Sequence, residues 1–112
     1  MRLWIDDARP APPGWTLAQN FEEAVVLLAQ GTAVEASLDY DLYLVAEDAL
    51  PSGIALARVD NQAKTGLDVA LWIEDAVTNG RIPALALRCH STNPDGHRLI
   101  TAVIERVPCP PP

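Results

Sequence analysis

The sequence predicts an α/β fold: a small open sheet of about four mostly parallel strands with flanking helices. Three short apolar strings, each ending in polar residues, indicate buried strands, and helical patterns alternate with them. Because parallel neighbours need crossover connections, such interleaving favours a parallel sheet. The length of 112 residues fits one domain. We expect that domain to span residues 1–107, followed by a proline-rich tail at residues 108–112.

The N-terminal strands come first. Residues 1–5 form a short apolar string, which predicts a buried strand. Residues 8–14 contain prolines that remove backbone donors and fix φ, so this segment is expected to be an extended loop. Residues 15–18 then predict an edge strand.

The first helix and the next strand follow. Asn20 is a candidate N-cap with Glu23 three residues later, and the apolar pattern ends at Gly31, so a helix of about ten residues is expected. Residues 34–38 predict a buried strand. Residues 43–64 have no clear period and are expected to be an inserted loop or lid over the edge of the sheet.

The C-terminal half contains the last two helices and one strand. Thr65 and Asp68 form a capping-box pattern, and the helix that follows is expected to end at Asn79-Gly80. Residues 84–89 predict the fourth strand, and Asn93-Pro94 predict the start of the last helix. The expected buried face of that helix comprises Leu99, Ile100, Val103, Ile104 and Val107.

Composition excludes several classes of function. The formal charge of −7 argues against broad contact with a nucleic-acid duplex, since Lys and Arg supply most of that affinity. No apolar run approaches the roughly 18 residues of a membrane span, so the protein is expected to be soluble, cytoplasmic and without a membrane partner. Cys89 and Cys109 do not form a disulfide framework. A small phosphate-bearing ligand or a nucleic-acid end remains a suitable partner.

Acidic residues follow two of the predicted strands. Asp6 and Asp7 come directly after the first, and Asp39 and Asp41 follow residues 34–38. The carboxyl ends of parallel strands share one edge, where ligands bind at the point of strand-order reversal. Carboxylates meeting there would repel one another unless a cation offset them, and the oxygen ligands suit Mg²⁺ or Mn²⁺. Asp6, Asp7 and Asp39 are the candidate metal ligands. The alternative is that each aspartate only caps a turn.

A phosphate site is predicted after the fourth strand. His90 and Ser91 stand at its end, directly before a helix whose first amides attract anions. His90 can transfer a proton, or it is only a buried, hydrogen-bonded histidine. Arg9 can bind phosphate oxygens or pair with Asp7. Cys89 and His97 match no usual zinc spacing.

Four strings of residues carry a resemblance to a known family. They are Leu3-Trp4-Ile5-Asp6-Asp7-x-Arg9, Ser37-Leu38-Asp39-x-Asp41-Leu42, Thr65-Gly66 and His90-Ser91-x-Asn93-Pro94-x-Gly96. Over nearly the whole chain, this layout resembles receiver domains and, more closely, the cyclic-phosphate-processing receiver-like family. The resemblance implies a flavodoxin-like or receiver-like open sheet in which the first helix and fifth strand of ordinary receivers are missing.

The resemblance also implies a role in processing cyclic phosphates such as RNA ends. The residues it implies for that role are Asp6, Asp7, Arg9, Asp39, Asp41, His90, Ser91 and Asn93. The sequence departs from the family at Tyr40, where a histidine is expected, and residues 43–64 are longer than the usual connection. No counterpart of the receiver lysine follows, which argues against a phosphorelay switch on Asp39.

The functional hypothesis is a metal-assisted phosphoesterase that acts on cyclic phosphates. The expected catalytic residues are His90, Asp39, Asp41 and Arg9, and the expected phosphate-binding residues are Arg9, Ser91, Asn93 and Gly96. The alternative hypothesis is a non-catalytic module that binds a phosphorylated ligand or a protein at the same edge of the sheet.

Overall fold

The computed structural model describes residues 1–42 and 64–110. The described strands are β1 (Arg2–Ile5), β2 (Trp15–Ala18), β3 (Glu35–Leu38) and β4 (Ala86–Cys89). The described helices are α1 (Phe21–Ala29), α2 (Gly66–Thr78) and α3 (Pro94–Ile104). This order and the receiver-like α/β class confirm the predicted fold. Apart from Lys64, the predicted insertion at residues 43–64 lies outside the described residues.

The described strands form a parallel sheet in the order β2-β1-β3-β4. The chain leaves β1 toward β2 on one side and returns to β3 on the other, so strand order reverses between β1 and β3. Ile5 and Leu38, the last residues of these two strands, lie opposite each other. Asp6 and Asp39 therefore start at the switch point, where open α/β sheets bind their ligands.

Backbone hydrogen bonds continue one residue beyond the strands. The amide of Asp6 donates to Ala18 O at 3.0 Å, that of Asp39 donates to Ile5 O at 2.9 Å, and that of His90 donates to Leu38 O at 3.0 Å. The backbone of each polar residue is thus fixed by the neighbouring strand. The sheet itself sets the spacing of these side chains.

Strand alternation separates the core from the polar side of the sheet. Leu3, Ile5, Ala36 and Leu38 are fully buried on one side. The helices form one layer, because α1 contacts α2 and α2 contacts α3, with each helix also contacting a strand. On the other side, the carboxylate of Glu35 pairs with arginines of β1 and β4.

The predicted helix starts are confirmed by their caps. The Asn20 side chain accepts from Glu23 N, Thr65 and Asp68 form a reciprocal capping box, and the Asn93 side chain caps α3 ahead of its first-turn proline. These bonds satisfy amides that a helix cannot pair internally. None of the described helices is long and apolar enough to cross a bilayer.

The predicted buried face of the last helix is wrong at Leu99, and Val107 lies beyond the helix rather than on it. Leu99 is 41% exposed, whereas Ile100 and Val103 are buried. Each helical residue rotates by about 100°, so Leu99 lies to one side of the stripe formed by its neighbours. Helix α3 ends at Ile104, and Val107 reaches the core from the chain beyond it.

Candidate active site

Asp6 is buried at the end of β1 and is hydrogen-bonded through both oxygens. Its Oδ1 accepts from the amides of Ala8 and Arg9, both at 2.9 Å, and its Oδ2 lies 2.9 Å from His90 Nε2. Burial alone would raise the pKa of Asp6, but these hydrogen bonds and the charge of His90 outweigh it and lower the pKa below its usual value. The ionised form of Asp6 is therefore favoured.

Asp39 has the opposite electrostatic environment. It is 8% exposed at the end of β3, and its Oδ1 accepts from Tyr40 N at 2.8 Å. Burial and the nearby charge of Asp6 raise the pKa of Asp39 above its usual value, and hydrogen bonds from Tyr40 and Ser91 offset this only in part. Two neighbouring carboxylates thus differ in their preference for a proton.

Three carboxylates converge at this edge of the sheet. One oxygen from each of Asp6, Asp7 and Asp39 lies within 4.8 Å of the other two. We call these residues the carboxylate cluster. Burial and the negative charge of Asp6 raise the pKa of Asp39, and a nearby cation would offset that repulsion. The all-oxygen donor set fits a hard divalent cation such as Mg²⁺ or Mn²⁺. The structure places Asp41, half-buried after β3, outside this cluster.

His90 links the ends of β1, β3 and β4. Its Nε2 pairs with Asp6, its Nδ1 lies 2.8 Å from Ser37 Oγ, and its ring stacks on Trp4 with centroids 3.8 Å apart and planes 8° from parallel. The His90 side chain retains 14% exposure. Both ring nitrogens therefore have protein partners, and the side chain is still partly exposed.

Arg9 joins the loop after β1 to the loop after β4. Its Nη1 donates to His90 O at 3.1 Å, its Nη2 donates to Thr92 Oγ1 at 3.4 Å, and its Nε lies 3.9 Å from Asp6 Oδ2. The side chain is 43% exposed. The guanidinium thus lies beside the carboxylate cluster with surface left to contact a ligand.

The predicted phosphate-binding residues at the start of α3 are engaged in the helix cap. Ser91 Oγ accepts from Asn93 N at 3.2 Å, and Asn93 Oδ1 accepts from the amides of Asp95 and Gly96, both at 3.1 Å. These two amides already have an acceptor. Ser91 also acts on the carboxylate cluster, because it lowers the pKa of Asp39 and so offsets part of the effect of burial.

Two glycines, Gly66 in α2 and Gly96 in α3, allow the loop after β3 to approach these helices closely. A Cβ on Gly66 would lie 1.7 Å from the carbonyl oxygen of Asp39, and a Cβ on Gly96 would lie 2.3 Å from Cγ of Tyr40. The Gly66 amide donates to Tyr40 O at 2.8 Å. The Thr65-Gly66 string therefore fixes the Asp39-Tyr40 backbone, and the Tyr40 ring packs over the first turn of α3.

Ser37, Trp4 and Thr92 also contact the site, although their sequence pattern predicts no functional role for them. Strand alternation contained a signal for two of them, because Trp4 stands two residues before Asp6 and Ser37 two residues before Asp39. Residues at this spacing share a side of the sheet. No comparable pattern pointed to Thr92, which follows the strand in a loop.

Comparison with known proteins identifies one family. Residues 1–106 match the sequence model of the family described as the cyclic-phosphate processing receiver domain. No curated protein and no solved structure matched the chain. The match covers every strand and helix described above.

Proposed function

Because the chain belongs to the cyclic-phosphate processing receiver domain family, we propose that it is a metal-assisted phosphoesterase that opens a cyclic phosphate. The substrate class is a nucleotide or RNA end that carries a 2′,3′-cyclic phosphate. The observation that carries this proposal is the carboxylate cluster at the switch point of the sheet, with His90 bonded to one of its members.

The carboxylate cluster would hold Mg²⁺ or Mn²⁺. Such an ion would offset the repulsion between Asp6 and Asp39 and would polarise a phosphoryl oxygen of the substrate. The hydrogen bonds to Asp6 Oδ1 and Asp39 Oδ1 fix both carboxylates before a ligand arrives. Little reorganisation is then needed on binding.

Arg9 and Ser91 are the proposed phosphate ligands among the described residues. The half-exposed guanidinium of Arg9 can donate to phosphate oxygens, and the Ser91 hydroxyl lies next to Asp39. Asn93 and Gly96 would contribute indirectly, because the cap they form holds Ser91 in place.

In the proposed reaction a water oxygen bonds to phosphorus and the bond from phosphorus to one ribose oxygen breaks. The water loses a proton, and the departing ribose oxygen gains one, which leaves a phosphate monoester. His90 would donate or accept a proton in this exchange. To do so it would exchange its contact with Asp6 or Ser37 for one with the reacting oxygen.

The test is turnover of nucleoside 2′,3′-cyclic phosphates, followed by ³¹P NMR with Mg²⁺, with Mn²⁺ and with a chelator. We expect metal-dependent formation of a 2′- or 3′-monophosphate, which Asp39→Asn abolishes. Asp75→Asn is the matched control, since Asp75 is exposed on α2 and pairs with Arg81 away from the site. Turnover that is unaffected by Asp39→Asn would contradict the assignment.

A second candidate function is a binding module for phosphate-bearing ligands. Both His90 nitrogens already have partners, and Tyr40 stands where the family resemblance leads us to expect a histidine. The result favouring this function is specific: neither the wild type nor Tyr40→His turns over cyclic phosphates, with or without metal, yet calorimetry detects binding of nucleoside phosphates that Arg9→Ala removes.

A further inference from the structure

One side of the parallel sheet is left without a helix among the described residues. All three described helices pack on the side that holds Leu3 and Ile5, because their buried residues join those side chains in one core cluster. The opposite side presents the alternate residues of each strand. We call its outer part the open face, which comprises Arg2, Trp15, Leu17 and Arg88. Since parallel sheets are ordinarily covered on both sides, the open face is suited to binding an occupant.

The open face combines apolar rings and chains with guanidinium groups. The side chains of Arg2 and Arg88 are 59% and 68% exposed, Leu17 is 37% exposed, and Trp15 is partly exposed. The Arg2 guanidinium lies 6.0 Å from the centroid of the Trp15 ring, at the outer limit of a cation–π contact. A flat ligand can therefore replace this guanidinium over the ring at little cost.

The local charge of the open face is positive. Glu35 lies between the two arginines, with Oε1 3.5 Å from Arg2 Nε and Oε2 2.6 Å from Arg88 Nε. One carboxylate balances only one of two guanidinium groups, so the open face attracts anions although the whole chain carries a formal charge of −7. Such a small patch does not support contact with a long duplex, but it suits a short single strand that also stacks.

The open face is continuous with the candidate active site. Trp4 contacts the Trp15 ring edge-on, with centroids 5.7 Å apart and planes at 81°. The other contact of Trp4 is the stack on His90, whose carbonyl oxygen accepts from Arg9. A ligand with its terminal phosphate at Arg9 can therefore extend along this side of the sheet to Trp15.

We propose that the open face binds the single-stranded ribonucleotides that precede the cyclic phosphate of an RNA end. Their bases stack on Trp15 and pack against Leu17, while Arg2 and Arg88 contact their phosphates. Unpaired RNA bases commonly stack on aromatic side chains of an open sheet, and this contact tolerates any base. The assignment rests on the proposed function, which places the terminal phosphate, and extends it to the chain that carries that phosphate.

The test compares two ligands by fluorescence anisotropy. One is a labelled, single-stranded oligoribonucleotide that ends in a 3′-phosphate, and the other is an unlabelled nucleoside 3′-monophosphate that competes with it. We expect the oligonucleotide to bind at least about 10-fold more tightly, because its additional bases stack. Leu17→Glu, which adds a negative charge to the open face, should remove most of this advantage. Leu71→Glu is the matched control, since Leu71 is 41% exposed on α2.

Two further variants separate stacking from charge. Trp15→Ala should weaken binding of the oligonucleotide about 5- to 100-fold, the usual effect of removing one stacking contact. Arg88→Ala should reduce the slope of log affinity against log salt concentration by about 0.7, the contribution of one phosphate contact to a single strand. Arg81→Ala is the control for charge, because Arg81 is an exposed arginine that pairs with Asp75 beyond the open face. Circular dichroism checks that each variant is folded.

Equal affinity for the two ligands would overturn the proposal, as would an advantage of the oligonucleotide that both Leu17→Glu and Arg88→Ala leave intact. A dimer in sedimentation that Leu17→Glu dissociates, without any binding of RNA, would also overturn it, because the open face would then hold a second copy of the chain.

Failure of the proposed function has a different signature. Binding of the oligonucleotide that depends on the open face, without turnover of cyclic phosphates, would contradict the phosphoesterase and support the RNA site. Turnover of a nucleoside 2′,3′-cyclic phosphate, without preference for the oligonucleotide, would support the phosphoesterase and overturn the RNA site.

Discussion

Asp6 and His90 follow strands that are separated by β3, yet their side chains meet at 2.9 Å across its end. Asp39 directly follows β3, and its carboxylate lies near that of Asp6 in the carboxylate cluster. The buried carboxylate of Asp6 is thus paired with a histidine, whereas the negative charge of Asp6 raises the pKa of Asp39. Substitution of Asp6 and substitution of Asp39 are therefore expected to change the free energy of unfolding in opposite directions, and so is a change of pH acting on each residue.

We predict that Asp39→Asn stabilises the metal-free protein at neutral pH. The raised pKa means that the folded state holds the Asp39 proton more tightly than the unfolded state does. The stability that protonated Asp39 adds to the folded state is fully present below the usual pKa of 3.8. It is lost as the pH rises through the raised pKa of the folded state. Removing the charge should add about 0.5–2 kcal/mol to the free energy of unfolding, measured by urea denaturation.

Asp6→Asn should act in the opposite direction. The lowered pKa of Asp6 contributes stability above the usual value of 3.8, and this contribution is lost as pH falls through the lowered value. An amide cannot accept from His90 and the two loop amides as a carboxylate does, so we expect a loss of about 1–3 kcal/mol. Equal effects of Asp6→Asn and Asp39→Asn would contradict this description of the site.

Millimolar Mg²⁺ or Mn²⁺ should raise the melting temperature of the wild type. A ligand that binds only the folded state at 100 times its Kd stabilises it by about 2.7 kcal/mol. The double variant Asp6→Asn with Asp39→Asn should lose this shift, and Asp75→Asn should keep it. A shift that persists in the double variant would place the bound metal elsewhere.

His90→Ala should lower turnover of a cyclic phosphate by about 10²- to 10⁴-fold, the usual contribution of a general acid or base. The same change removes the partner of buried Asp6 and should cost about 1–3 kcal/mol of stability. His97→Ala is the control, because His97 is exposed on α3. Equal turnover in these two variants, with both folded, would exclude a proton-transfer role for His90.

Gly96→Ala should destabilise the protein although alanine is the better helix former. The new methyl group would overlap the Tyr40 ring, with an expected cost of about 1–3 kcal/mol. Gly66→Ala should cost more, since its obstacle is the backbone of Asp39. In a Tyr40→Gly background the penalty of Gly96→Ala should fall, and a penalty that stays the same would show that the contact with Tyr40 is not its cause.

Much of the fold could be predicted from local sequence. Caps at Asn20, Thr65 and Asn93 fix helix starts through short-range bonds, and short apolar strings that end in aspartate or histidine predict the strands and the edge where they finish. The family match confirms the receiver-like class. The exposed position of Leu99 was missed because period alone does not fix which way a helix stripe faces.

The connections within the site were less accessible to sequence reasoning. Strand ends predicted that Asp6, Asp39 and His90 share an edge, but the partner of each hydrogen bond depends on tertiary geometry. Asn93 and Gly96 illustrate this, since the same amides that favour a phosphate are used by the helix cap. The metal and phosphate roles stay predictions.

In the proposed function, the carboxylate cluster holds a divalent cation at which a cyclic phosphate binds. The most direct measurement is a crystal structure with Mn²⁺ and a nucleoside 2′,3′-cyclic phosphate, using anomalous scattering to locate the metal. We expect one manganese peak coordinated by Asp6, Asp7 and Asp39, with the phosphate between that ion and Arg9. A phosphate bound at this edge with no metal in the cluster, or a manganese ion bound only elsewhere, would contradict metal-assisted binding by Asp6, Asp7 and Asp39.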